Sequence, residues 1–260
     1  MPRIVVLIKY TPDLAARHQF AADGTVDRAA AGGRLSELDE YAAEQALVAA
    51  DAGGDWQLTY LTMGPADAAE ALRKALSMGG DTGVHVLDGA LHGSDAIATS
   101  LVLATALRKT GFDLVLTGMA STDAGMGVLP AMLAERLGVP QVTLASKLTV
   151  DGGEVEIIRD SDVASDTIRA PLPAIVSVTD QSGEARYPSF KGIMAAKRKP
   201  VETWDLAELG IDPAEVGLGA ARSAVLSVTP RPPRRAGQLV KDDGNGGREL
   251  AGFLVGARFI

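Results

Sequence analysis

The stretch from Leu114 to Pro140, LVLTGMASTDAGMGVLPAMLAERLGVP, constrains the fold most, because it joins a buried strand to an amphipathic helix through a glycine-punctuated turn. Leu114, Val115 and Leu116 form an unbroken branched run, the pattern of a parallel strand covered on both faces. Leu129, Met132, Leu133 and Leu137 then recur at helical spacing, which predicts a helix from about Met126 to a stop at Gly138. The first turn of such a helix carries N–H groups without intrahelical partners, and Gly125 and Gly127 beside it allow a ligand to approach the backbone. The segment is a candidate phosphate-binding turn that needs no lysine; an ordinary strand-to-helix connection is the competing reading. Asp123 is expected to order the turn by bonding to its own backbone.

The same unit recurs upstream. Arg3 to Lys9 reads as a strand that ends in Tyr10-Thr11-Pro12-Asp13, and Ser36 reads as an N-cap, with Asp39 completing a shortened capping box, for the helix through Tyr41, Ala42, Gln45 and Ala46. Leu58 to Thr62 predicts a second strand, broken at Gly64-Pro65 and followed by a helix over Ala66 to Met78. Val84 to Leu87 predicts a third, and Ser94 is the expected cap of the helix holding Ile97, Leu101, Ala104 and Leu107. Repeated strand–helix–strand units with right-handed crossovers give an α/β fold, a doubly wound and mostly parallel sheet whose ligand lies at the carboxyl ends of the strands. Leu7 to Asp13, Met63 to Pro65 and Gly118 to Gly127 all fall at such ends.

Beyond Pro140 the texture changes. Val142 to Val150 and Val155 to Arg159, separated by Asp151-Gly152-Gly153, predict a hairpin or meander, and Pro173 to Val178 a further strand. A short helix is expected around Ile193 to Lys199. From Val201 the chain reads as an extended, proline-rich arm with an apolar end, Phe253, Leu254, Val255, Phe259 and Ile260. The expected division is an α/β domain over 1–200 and a C-terminal arm over 201–260 whose apolar end docks on a partner or on its own domain.

Composition removes several functions. There is no cysteine, which excludes disulfides, thiolate nucleophiles and cysteine-ligated clusters. A net charge of −8 argues against nucleic acid as a partner, and the cluster Lys197, Arg198, Lys199 reads as a solvated face. No apolar run reaches membrane-spanning length and Met1-Pro2-Arg3 leads directly into a strand, so a cytoplasmic protein without membrane insertion or signal peptide is expected. His18, His85 and His92 lack ligand-spaced neighbours and read as structural or solvated. Asp160, Ser161, Asp162 and Asp166 lack the central glycine and terminal glutamate of a calcium loop, so no metal site is expected. With no GxGxxG after the first strand, no P-loop and no GxSxG elbow, the sequence points to a nucleotide held without catalysis.

Five ordered blocks resemble the β subunits of electron transfer flavoproteins: VVLIKYTPD, LDEYAAEQAL, GPADAAEALRKALSMGGDTGVHV, LVLTGMASTDAGMGVLPAMLAERLGVPQ, and PLPAIVSV followed by ARYPSFKGIMAAKRKP. The resemblance implies a sheet like that of the adenine nucleotide alpha hydrolases, and an electron carrier rather than an enzyme. It implies an αβ heterodimer that takes electrons from flavin dehydrogenases, such as the acyl-CoA dehydrogenases of fatty acid oxidation, and passes them to a quinone oxidoreductase. The shared FAD would lie mainly on the α subunit, and AMP, or a second FAD as in bifurcating members, in this one. By position, Leu7, Ser36, Leu38, Asp39, Met63, Gly118, Asp123, Gly125, Met126, Gly127, Val128 and Leu129 would line the nucleotide in a nucleotide-binding domain over 1–200, Tyr187, Phe190, Ile193 and Met194 would meet a dehydrogenase through a recognition loop at 183–200, and the 201–260 arm would pack on the partner subunit.

Val128 stands where the family commonly has glutamine, and Phe190 where it often has leucine. Pattern alone reads Phe190 as a core residue, and Tyr187 offers a second use, packed inward to fix the loop. The alternatives are an ATP-using ligase or pyrophosphatase and a stand-alone adenine-nucleotide-binding module. The first wants an SGGxDS-type loop where this chain has Lys9-Tyr10-Thr11-Pro12-Asp13; the second has no need of the extension after Pro140.

Overall fold

The computed structural model describes residues 1–13, 15–16, 19–229, 232–233, 237 and 239–260, so His18 and parts of the Arg231-Pro-Pro-Arg-Arg run lie outside the described residues. In chain order the strands are β1 (Arg3–Leu7), β2 (Tyr10–Pro12), β3 (Gly33–Leu35), β4 (Gln57–Met63), β5 (Thr82–Val86), β6 (Leu114–Gly118), β7 (Gln141–Ala145), β8 (Lys147–Asp151), β9 (Glu154–Asp160), β10 (Ser165–Pro171), β11 (Ala174–Val178) and β12 (Val201–Trp204). The helices are α1 (Arg28–Ala31), α2 (Glu37–Asp51), α3 (Ala68–Met78), α4 (Ala96–Thr110), α5 (Leu129–Leu137), α6 (Phe190–Ala196), α7 (Leu206–Leu209), α8 (Gly217–Ala220) and α9 (Gly246–Gly256).

Seven strands form one sheet in the order β12-β5-β4-β1-β6-β11-β7, and every pairing in it is parallel. Ile4, Val5 and Val6 of β1 are fully buried because helices cover both faces. Ile4, Val6 and Tyr60 pack beneath Ala42 and Ala46 of α2 and Leu72 and Leu76 of α3. Val5, Leu61 and Val115 face Val102 and Leu107 of α4 and Leu133 of α5. The chain winds from β1 through β4 to β5, then crosses to β6 on the other flank of β1. That reversal opens a crevice at the carboxyl ends of β1 and β6, where doubly wound sheets bind ligands.

Several local expectations are corrected. Helix α5 begins at Leu129 rather than Met126, because Gly125 and Gly127 both have φ of 64°, outside the helical region. The run Val142 to Val150 is not one strand. Leu144 takes φ of 63°, so β7 joins the parallel sheet beside β11 while β8 turns away into an antiparallel sheet of order β10-β9-β8. Asp95, not Ser94, caps α4, since its carboxylate accepts from both Ile97 N and Ala98 N at 3.0 Å, while Ser94 Oγ accepts from Gly217 N.

Val201 does not open an extended arm: Val201–Trp204 is the edge strand beside β5. The first compact unit accordingly runs past Pro200, from Met1 to Leu226. Ser227–Ile260 forms a second unit carrying α9, within which the rings of Phe253 and Phe259 lie 6.4 Å apart. Among the described residues, no helix is long and apolar enough to cross a membrane.

Candidate functional site

At the carboxyl ends of β1, β4 and β6 lies a cavity of about 280 Å³. Of the residues anticipated from sequence, Leu7, Asp39, Met63, Gly118, Met126, Gly127, Val128 and Leu129 line it. Ser36, Leu38, Asp123 and Gly125 do not. Lys9 and Ser121 line it too, within the anticipated segments Leu7 to Asp13 and Gly118 to Gly127 though not singled out there, and Thr99, Asp95 and Ala96 at the start of α4 line it without having been anticipated.

Gly118 is where β6 meets the start of α2. A Cβ there would lie 2.7 Å from both the Leu38 carbonyl oxygen and Asp39 Oδ1, so the close approach requires glycine. Asp39 is almost wholly buried, and burial pushes its carboxyl up to about 7 even though the N–H groups of Lys9 (2.8 Å) and Gly118 bond to it and favour its charge. The expected capping box is absent. Asp39 is occupied with Lys9 and Gly118, the Ser36 N–H already donates to the Lys9 carbonyl at 2.9 Å, and Ser36 Oγ is buried without a partner.

Asp123 does not bond its own backbone. Its carboxylate, 5% exposed, accepts from Lys9 Nζ at 2.8 Å and from Arg28 Nη2 at 2.6 Å, while Ser121 Oγ takes the local role by accepting from Ala124 N. Burial alone would raise the Asp123 carboxyl, but the Lys9 ammonium and the Arg28 guanidinium hold it well below the usual carboxylate range. Two cations on one carboxylate leave a positive charge at the mouth of the turn, supplied by a lysine from β1's end and an arginine from α1.

The two helix N-termini at the cavity differ. That of α4 is closed by its own Asp95 carboxylate. The first turn of α5 has no side-chain cap, so its partial positive charge is directed at the cavity unopposed. Leu7, Leu61, Met63 and Leu103 give the cavity an apolar lining. One polar end and one apolar wall suit a ligand with an anionic group and a flat, weakly polar body.

Other clusters are structural. His85 is buried with Nε2 3.1 Å from the Gly64 carbonyl, and His92 Nε2 lies 2.8 Å from Asp23 Oδ2. Asp160 accepts from the hydroxyls of Ser146 and Ser165, and no group of metal-ligating side chains occurs among the described residues.

The anticipated partner-facing residues lie elsewhere, on and before α6. Phe190 is the first residue of that helix, not part of a preceding loop, because Ser189 caps it by accepting from Gly192 N at 3.0 Å. Phe190 is 81% exposed, so it is no core residue, and Ile193 and Met194 are also exposed. Tyr187 does not pack inward; it is 94% exposed.

Fold and site together define a doubly wound α/β domain with a crevice at its switch point, where an uncapped helix N-terminus and an apolar wall meet, and a separate exposed apolar patch. The family model described as the electron transfer flavoprotein domain matches residues 23–209. The electron transfer flavoprotein subunit beta of Mycobacterium tuberculosis is 46% identical over 267 residues, covering 100% of both chains. That of Megasphaera elsdenii is 32% identical over 91% of this chain and 90% of its own. The caffeyl-CoA reductase-Etf complex subunit CarD of Acetobacterium woodii is 31% identical over 97% and 96%. The chain belongs to the electron transfer flavoprotein family, as an electron carrier rather than an enzyme.

Proposed function

We propose that this chain is the β subunit of an αβ electron transfer flavoprotein that carries electrons from flavin dehydrogenases, acyl-CoA dehydrogenases among them, to a quinone oxidoreductase. FAD, mainly on the α subunit, supplies the redox chemistry when bound. This chain's residues hold an adenine nucleotide that takes no part in that chemistry. The observation that carries the nucleotide reading is that an uncapped α5 N-terminus and Lys9, held by Asp123 behind it, line one cavity together with an apolar wall. Phosphate would sit at the α5 end, and the adenine against Leu7, Leu61 and Met63.

A volume of about 280 Å³ is at the small end for ligand pockets, which favours AMP over a second FAD. Val128, placed where the family commonly carries glutamine, leaves phosphate recognition to backbone N–H groups and to Lys9. Denaturing the purified αβ complex and identifying the released molecules by mass tests this reading: one AMP and one FAD per heterodimer are expected. A folded, flavin-loaded complex that releases no adenine nucleotide beyond its FAD overturns it, and two FAD per heterodimer replaces AMP with the larger ligand.

A further inference from the structure

The apolar display over Tyr187, Phe190, Ile193 and Met194 is attached at both ends by charged side chains, to α2 through Arg186, which also meets the exposed Asp51 at 3.1 Å, and to α3 through Arg73 and Lys199. At the entry, Arg186 Nε and Nη2 meet the two oxygens of the buried Glu44 carboxylate on α2 at 2.8 and 2.9 Å, and the Arg186 N–H donates to Glu44 Oε2 at 2.9 Å. Such a forked pair fixes direction as well as distance. At the exit, the attachment is reciprocal. Lys199 Nζ donates to the carbonyls of Leu76 and Gly79 at 2.7 and 3.1 Å, closing the C-terminus of α3. Arg73 Nη1, from α3, donates to the carbonyls of Ala196 and Lys199 at 2.7 and 2.8 Å, closing the C-terminus of α6. The C-terminus of α3 thereby receives a cation from the turn after α6, and that of α6 a cation from α3. Between the two attachments the backbones touch: a Cβ on Gly192 would lie 2.4 Å from the Ser77 carbonyl oxygen.

We infer that Glu44–Arg186 and the reciprocal caps of Arg73 and Lys199 form a two-ended clamp that presets the 187–194 display for capture of a partner dehydrogenase, making these four positioning residues. The inference rests on the docking reading of Phe190 given above. A seven-residue helix has little stability of its own, so its shape must come from such tertiary attachments. A display already in its bound shape avoids the ordering cost that a floppy segment would meet on docking. Arg73 and Lys199 are thus used inward on carbonyl oxygens and Arg186 on the Glu44 carboxylate, while Lys191 within the display is exposed.

The test uses the αβ complex as the limiting carrier between an acyl-CoA dehydrogenase with its acyl-CoA substrate and dichlorophenolindophenol as final acceptor. KM for the carrier and kcat are measured for Phe190→Ala, Lys199→Ala, Lys199→Arg and Arg73→Ala, with hydrogen exchange of the 187–196 peptides. Lys199→Ala and Arg73→Ala are expected to raise KM about tenfold, the loss of preorganisation for one or two side chains. kcat, flavin and nucleotide content should stay at parent values, exchange at 187–196 should quicken, and Lys199→Arg should recover most of the affinity. If Arg73→Ala does not fold, Arg73→Met keeps the stem and removes the donors. A raised KM in Phe190→Ala with parent KM in the other variants overturns the clamp. Parent KM in Phe190→Ala overturns the docking reading instead, and unaltered exchange in Lys199→Ala then overturns the clamp on its own.

Discussion

Asp39→Asn should flatten the dependence of stability on pH. In the folded chain burial raises the Asp39 carboxyl from its ordinary 3.8 to about 7, so the folded state holds a proton that the unfolded state releases. A carboxyl raised in this way contributes its full stability below pH 3.8 and loses it as pH rises through 7. The whole swing is about 4 kcal/mol, of which roughly 2.5 kcal/mol falls between pH 5 and pH 8. Urea unfolding of the parent and of Asp39→Asn at pH 5, 6, 7 and 8 isolates the term, because the other carboxylates are common to both. The variant should be the less stable at pH 5, since its amide nitrogen faces a backbone N–H that the carboxyl accepts, and should close the gap by pH 8. A 13C titration of the Asp39 carboxyl gives the direct reading. A midpoint below pH 5, or parallel stability profiles for the two proteins, would refute the reasoning.

Asp123 carries the opposite sign: its carboxyl is held low, so its contribution is present above the ordinary carboxylate range and lost on acidification. Asp123→Asn should weaken the parent at pH 7 and flatten its acid limb below pH 4, checked by calorimetric scans across that range. The apolar end of the second unit, Phe253, Val255, Phe259 and Ile260, is exposed, so deletion of Leu250 to Ile260 should lower the yields of αβ heterodimer and bound flavin together. Size-exclusion chromatography with the visible flavin spectrum measures both, and an unchanged complex would show the segment dispensable.

How much could be read in advance follows from the range of each interaction. The core strands were legible because Ile4-Val5-Val6 and Leu114-Val115-Leu116 are buried on both faces and so leave unbroken branched runs. Strand β12 was not, because an edge strand spelled Val-Glu-Thr-Trp keeps one polar side and shows no such run. Cap positions were located to within a residue, but the tertiary partners that decide which side chain bonds there were not legible: Ser36 is the N-cap residue of α2 but its hydroxyl makes no cap bond and Lys9 and Gly118 draw Asp39 away, while Gly217 takes Ser94 and leaves α4 to Asp95.

The cavity's glycines announced themselves locally. Its cation did not, because Lys9 and Asp123 are 114 residues apart and only the β1–β6 pairing brings them together. The signal was present in Lys9, a lone charge closing an apolar strand that ends beside the turn. Exposure of Phe190 was illegible in principle, since the same residue in the same short helix serves a core equally well.

Cavity and display lie on different faces of the sheet, and this predicts how perturbations combine. The apolar wall of the cavity belongs to the layer beneath α4 and α5, whereas the display is attached to α2 and α3 on the other side. Gly118→Ala, which drives a Cβ against the Leu38 carbonyl and costs about 1–3 kcal/mol by overpacking, should lower nucleotide retention without altering KM for a dehydrogenase. Phe190→Ala should lose on the order of 2 kcal/mol of partner binding, roughly thirtyfold in KM, with nucleotide retained. Together they should add, within about 0.5 kcal/mol, as distant sites do. Helix α2 is where additivity should break. It carries Asp39 into the cavity and Glu44 to the clamp, so a change of its tilt reaches both. Glu44→Gln combined with Gly118→Ala is therefore the pair expected to couple, read as a KM that differs from the product of the single changes. Strict additivity for that pair, matching the Phe190 pair, would mean that α2 transmits nothing between the two faces.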